Sequence, residues 1–195
     1  MIIRVFSGLV LALCAVACSA PVETVAVKTD SYFDLVGLLD TQTALLLEQG
    51  AVLEKQLTAN GETEVVSVKP ESEEQLKAEL RLFYEANINK LGLDDAYFTE
   101  ELPGINGASK IINTAKKAGP DIRMIEYDFY LGKISQIRVL VEDKNDIYTF
   151  EKEMTMKFEP LSDGREILTG YSINGKQKMV MKSDLNFSLE GSFLR

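Results

Sequence analysis

Apolar residues recur at three- and four-residue spacings along the first part of the chain, and this period predicts helices. One helix is expected over 31–49, capped by Asp30 or Ser31 and followed by Gly50. A second helix is expected over 72–90, where the chain begins with a capping box and continues with an apolar stripe.

A hairpin is expected between these two helices. Two runs rich in β-forming residues, 52–58 and 63–68, flank the pair Asn60-Gly61, which readily adopts the positive φ angles of a type I′ turn. The alternative is that the first helix continues through Leu57.

From Ile122 onward apolar and polar residues alternate, which is typical of strands that bury one face. Lys152 is the charged exception on the apolar face of the clearest strand, 147–158, and the pair Asn174-Gly175 is interpreted as a second hairpin turn. The apolar residues that share the face of Lys152 are Tyr148, Phe150, Met154, Met156 and Phe158.

Together these elements predict an α+β fold with a single domain over 31–195. N-terminal helices, with the early hairpin, would pack on a curved antiparallel β-sheet of about six strands that follow one another as a meander. The segment 92–108 is expected to be irregular, and 109–118 is expected to form a short third helix.

The N-terminus has the pattern of a bacterial export signal. Arg4 precedes an apolar run that ends near residue 17, which is too short to span a membrane because a spanning helix needs about 20 residues. We therefore expect residues 1–17 to be a signal peptide and residues 18–30, which carry few bulky side chains, to be a flexible tether.

The segment 15–18 resembles a lipobox, the processing site of bacterial lipoproteins. By that resemblance Cys18 would receive a lipid (palmitate among its acyl chains) and become the mature N-terminus, although Ala15 stands where the pattern usually has Leu. The alternative is a plain signal-peptidase site and a secreted protein. The only other cysteine, Cys14, lies before Cys18, so the mature chain has no structural disulfide and Cys18 is best explained as a lipid attachment point.

The net charge limits the classes of binding partner that the chain can have. The 30 acidic and 21 basic residues give a net charge of −9, which argues against nucleic acid or anionic headgroups as the main partner. By resemblance to bacterial sorting rules, Ser19 after the cysteine favours the outer membrane, so we expect a lipid-anchored protein that faces the periplasm.

Two segments, 83–97 with Asn87-Ile88-Asn89-Lys90 inside it and 170–177, resemble uncharacterised lipoproteins of Gram-negative bacteria. The resemblance implies a cell-envelope location and an unknown activity, and it supplies no catalytic residues to carry over. The predicted architecture is also similar to that of Lol-type lipoprotein carriers, in which helices lie against a curved antiparallel sheet around an apolar cavity.

The leading hypothesis is a non-enzymatic protein that binds an apolar ligand or a protein partner through its sheet. Flexible thioethers and aromatic rings suit such a surface, and the candidate residues are Tyr148, Phe150, Met154, Met156 and Phe158. The simpler interpretation is that these side chains fill the core under the helices. A structural subunit of an envelope complex is the second hypothesis.

A hydrolase acting on cell-wall glycan is the third hypothesis. Glu126 and Asp128 project from one face of a strand at a spacing that suits paired carboxylates, but a solvated strand face explains them as well. The acidic segment 142–146 lacks the spacing of a calcium loop, and the absence of His removes the usual metal and acid–base chemistry. No cofactor and no metal are expected.

Overall fold

The computed structural model describes residues 31–144, 148–179 and 182–195. Its helices are α1 (Leu35–Glu48), α2 (Glu73–Glu79) and α3 (Arg81–Glu85). Its strands are β1 (Val52–Ala59), β2 (Glu62–Val68), β3 (Tyr97–Pro103), β4 (Ala108–Ala115), β5 (Ile122–Tyr130), β6 (Lys133–Lys144), β7 (Tyr148–Pro160), β8 (Glu166–Met179) and β9 (Lys182–Leu194). The expected signal peptide, Cys18 and the tether lie outside the described residues.

The strands form one antiparallel sheet in the order β2-β1-β9-β8-β7-β6-β5-β4-β3. Strands β3 to β9 follow one another as a meander, and the early hairpin joins its far edge because β1 pairs with β9. The α+β class is therefore confirmed. The expected count of about six strands is wrong, because the described part of the chain forms nine.

Two of the additional strands come from 92–118, which was expected to be irregular and then helical. Instead β3 and β4 pair as a hairpin around Asn106 and Gly107, which both have positive φ angles. The β-branched residues Ile111, Ile112 and Thr114 favour this outcome, since they pack well on a pleated surface.

The early hairpin is confirmed, and Leu57 lies in a strand rather than in a continued helix. Ala59 pairs with Glu62 across the turn, in which Asn60 and Gly61 have φ angles of 52° and 86°. The second expected hairpin turn, at Asn174-Gly175, is wrong. Strand β8 runs straight through both residues, and Gly175 pairs with Lys152 of β7.

The two helices expected from the sequence begin or end at other residues in the structure. Asp34, rather than Asp30 or Ser31, caps α1, since its carboxylate accepts a hydrogen bond from the Gly37 N–H at 2.9 Å. The expected helix over 72–90 is broken at Leu80 into α2 and α3. It ends before Asn87, whose side-chain oxygen accepts the N–H of Asn89 and turns the chain locally.

The helices and the segments beside them cover one face of the sheet, which we call the helix side. Gln42 of α1 holds this layer to β8: its amide accepts the Leu168 N–H at 2.7 Å and donates to the Glu166 carbonyl at 3.0 Å. Asn89 is also buried, and it hydrogen-bonds the main chain of Tyr32 and Phe33. These amides position the helical layer and the N-terminal segment over the core.

Candidate functional site

The five residues expected to bind a ligand lie on the helix side of β7, but in different surroundings. Met154 and Met156 are buried in the core at 1% and 0% exposure, and Phe158 is buried near the far end of the strand. Tyr148 and Phe150, at the beginning of the strand, are only half-buried. The helix side of β7 is therefore buried in the core toward the end of the strand and partly exposed toward its beginning.

Where the helices cover the sheet, Glu79 of α2 holds the helical layer to the strands. Its carboxylate pairs with Lys55 of β1 at 2.8 Å and also accepts a hydrogen bond from the Tyr171 hydroxyl of β8. Burial, together with that hydrogen bond, raises the pKa of Tyr171 well above its ordinary range. The ring of Phe83 in α3 meets Tyr171 edge to face, with the centroids 5.9 Å apart. These contacts fix α2 and α3 over the middle of the sheet.

Beyond the contacts of Glu79 and Phe83 with Tyr171, the helices no longer cover the sheet. Apolar side chains are partly exposed there on the helix side. We call these residues the apolar strip: Leu57, Phe150, Phe187 and Leu189. Phe150 and Phe187 stack with their ring centroids 6.5 Å apart and their planes 15° from parallel. The ring of Phe187 lies over Gly175, where a Cβ would collide with it, which explains why β8 has a glycine there.

A cleft of about 400 Å³ opens next to the strip, between α3 and the sheet. Its volume lies within the range of small-molecule pockets, roughly 300–1,000 Å³. The lining combines apolar side chains from α3, from the loop that follows it and from β3 and β5–β7 with a few charged ones. The main apolar residues are Leu82, Leu93, Tyr97, Ile122, Val141 and Met154, and the cations are Lys90 and Lys152.

Lys152 lies where the cleft meets the apolar strip. It is half-buried, and its Nζ is 5.9 Å from the ring centroid of Phe150. Desolvation by burial lowers the pKa of Lys152, although the field of Glu85 opposes this effect. Within the described chain, no carboxylate lies within ion-pair distance of Lys152 and no group hydrogen-bonds it. Its charge is therefore partly desolvated without a direct partner, which costs free energy.

Glu85, Lys90 and Asp121 also line the cleft, and the exposed carboxylate of Asp121 has no ion-pair partner within the described chain. Arg81 pairs with Glu85 at 3.1 Å, so these two groups largely neutralise each other. Lys90, at the rim, donates to the main-chain carbonyl of Glu85 at 2.8 Å. Lys152 is thus the half-buried cation of the cleft, next to the apolar strip, whereas Lys90 and Asp121 are exposed.

A larger cavity of about 660 Å³ lies near the turns at the opposite end of the sheet, and Phe158 is one of its lining residues. Its polar groups are already paired. Lys110 contacts Glu126 at 2.7 Å and Asp128 at 3.2 Å, and Gln136 donates to Asp128. The remaining cation in its lining, Lys157, is exposed, so this cavity has no unpaired half-buried cation such as Lys152 among its described residues.

The carboxylates considered for catalysis lie together on the face opposite the helices. Burial alone would raise the pKa of Glu126, but hydrogen bonds and charge from Lys110 and Arg138 outweigh it, and the pKa is lowered. Glu126 is thus held ionised by cations at 2.7 and 3.0 Å, whereas a general acid needs a raised pKa. This geometry favours a structural role for the pair Glu126 and Asp128.

Within the described residues, no group of three or more acidic or cysteine side chains could hold a metal ion. No helix of the described chain is both long enough and apolar enough to cross a membrane.

Part of this site is visible in the sequence and part is not. Lys152 stands out because it interrupts an apolar alternation, and Phe187 and Leu189 follow the same period in the last strand. By contrast, no periodic signal identifies Leu93 or Tyr97, because their segment has no regular pattern.

Comparison with models of known protein families gives no match for this chain, and comparison with curated proteins gives no significant relative.

Proposed function

We propose that this chain is a non-enzymatic lipoprotein of the bacterial outer membrane, anchored through a lipid on Cys18, that binds an apolar ligand on the periplasmic side. The ligand would lie on the apolar strip and enter the cleft beneath α3. The observation that carries this proposal is that the helical layer ends partway along the sheet, so the helix side continues as an apolar surface open to a ligand.

The electrostatics of the chain support binding rather than hydrolysis. The one buried carboxylate of the candidate catalytic pair, Glu126, is neutralised by two cations and lies on the other face of the sheet. In the cleft, Glu85 is engaged by Arg81 and Asp121 is exposed, so neither carboxylate has the buried position that raises the pKa of a general acid.

Gentle purification of the native protein from membranes, followed by mass spectrometry, tests the proposal. The intact mass reports whether Cys18 is acylated, and an organic extract of the same preparation reports a bound apolar compound. We expect a triacylated N-terminus and a co-purifying lipid. An unmodified N-terminus would contradict the location, while an empty extract with a stably bound protein would favour the envelope-complex subunit instead.

Two variants link the extracted compound to the strip. Leu57→Ser changes a residue on the helix side of β1 that is 41% exposed, and Val65→Ser changes a residue on the opposite face of β2 that is 58% exposed. We expect the first variant to lose most of the co-purifying compound and the second to retain it. Equal retention by both variants would exclude the apolar strip as the binding surface.

A further inference from the structure

We propose that the ligand of this site is a single-chain anionic amphiphile whose carboxylate pairs with Lys152 at the edge of the cleft and whose alkyl chain lies along the apolar strip. This inference rests on the proposed function and specifies its ligand class.

The position of Lys152 carries the argument. Its strand neighbours on the helix side are Val141 on one side and Gly175, covered by Phe187, on the other. Its sequence neighbours on the same face are Phe150 and Met154. A lysine surrounded in this way loses hydration without gaining a partner from the described chain, and an incoming anion would restore the lost interaction.

The charge balance of the cleft selects the type of headgroup. Because Arg81 and Glu85 neutralise each other, Lys152 is the half-buried cation that a headgroup would meet, while Lys90 and the carboxylate of Asp121 are exposed at the cleft. One cation suits a monoanionic carboxylate better than a phosphate monoester, which carries more than one negative charge at neutral pH. The aromatic neighbours of Lys152, Phe150 and Phe187, favour an anion that carries an alkyl chain over a small hydrophilic anion.

The shape of the site also agrees with a single chain. The cleft is about 400 Å³, which is small among ligand pockets, and it continues onto the open strip rather than into a closed cavity. From a headgroup at Lys152 an alkyl chain can run across Phe150 and Phe187, where flat rings offer an apolar contact surface.

The test measures binding of four probes with the same alkyl chain, each below its micelle concentration, to the full chain by isothermal titration calorimetry. The probes are dodecanoate, dodecyl phosphate, dodecanol and dodecyltrimethylammonium. We expect dodecanoate to bind best and the ammonium probe to bind worst. Tighter binding of dodecyl phosphate would overturn the carboxylate assignment.

Lys152→Met then removes the charge while keeping the apolar stem. We expect dodecanoate to bind about ten-fold or more weakly, because a hydrogen bond to a charged group contributes at least that factor. Dodecanol should bind the variant as it binds the wild type. Lys152→Arg should retain dodecanoate, and Lys176→Met, at an exposed lysine on the opposite face of β8, is the matched control.

The outcomes separate this inference from the proposed function. Equal dodecanoate affinity in the wild type and Lys152→Met, with dodecanol still bound, would refute the anionic ligand but keep the apolar site. Failure of all four probes to bind would contradict the apolar-ligand proposal as well. Folding is monitored by circular dichroism, and Lys152→Met is expected to fold because it replaces a half-buried charge with an apolar side chain.

Discussion

Gln42 offers a sharp test of how the helical layer is held on the sheet. Its side chain is 2% exposed, and its amide satisfies two main-chain groups of β8, the Leu168 N–H and the Glu166 carbonyl. Gln42→Met keeps nearly the same volume but can form neither hydrogen bond. Leaving a buried polar group unsatisfied costs about 1–3 kcal/mol, so two such groups predict a loss of about 2–4 kcal/mol after partial relaxation.

Urea denaturation followed by circular dichroism measures this loss. We expect a lower midpoint with an unchanged m value, since the variant should expose the same surface on unfolding. Thr41→Ala is the control on the same helix, because Thr41 is exposed and bonds only the Gly37 carbonyl one turn back; we expect less than about 0.5 kcal/mol there. A Gln42→Met variant as stable as Thr41→Ala would refute the reasoning.

Further predictions concern other contacts of the fold. Asn89→Ala should lower the free energy of unfolding by about 1–3 kcal/mol, because it removes the hydrogen bonds to the main chain of Tyr32 and Phe33. It should also speed proteolysis near residue 32. Urea titration measures the first effect and limited digestion the second. Gly175→Ala should destabilise the chain by about 1–3 kcal/mol through the collision with Phe187, whereas Gly119→Ala, where no atom would meet the new Cβ, should not. Glu126 has a lowered pKa in the folded state. The stability that its ionised carboxylate contributes is therefore present above the unfolded-state pKa near 4.5 and is lost as the pH falls through the folded-state pKa. The midpoint of the wild type should therefore fall more than that of Glu126→Gln between pH 6 and pH 3, and parallel curves would contradict this linkage.

The period of the hydrophobic pattern predicts much of the fold, and its failures have identifiable causes. The early hairpin is predictable because Asn60-Gly61 has both a turn signal and β-forming flanks. The hairpin of β3 and β4 is missed because β3 buries only Tyr97, so its remaining residues show no alternation that would mark a strand. Its neighbour β4 lies beside the sheet edge and is only partly buried, which weakens the pattern there as well.

The helical contacts depend on tertiary partners that are remote in sequence. Gln42 and Leu168 are separated by 126 residues, and Asn89 and Tyr32 by 57. A buried amide inside a helix pattern does not reveal which main-chain groups it will meet, so these anchors become visible only in the structure. Lys152 differs, because a single charge in an apolar alternation is a local signal that needs no partner to be noticed.

The misinterpreted turn at Asn174-Gly175 explains why the extent of the apolar strip is not evident from the sequence. Divided at that pair, β8 would be two short strands that short helices could cover. As one strand of 14 residues it is roughly 46 Å long at about 3.3 Å per residue. The 14 residues of α1 extend only about 21 Å at 1.5 Å per residue. Helices of this length cannot cover β7, β8 and β9 from end to end, so an uncovered apolar surface follows from the lengths of the elements. Gly175 contributes to that surface, because the missing Cβ leaves room for Phe187 to lie across the strand.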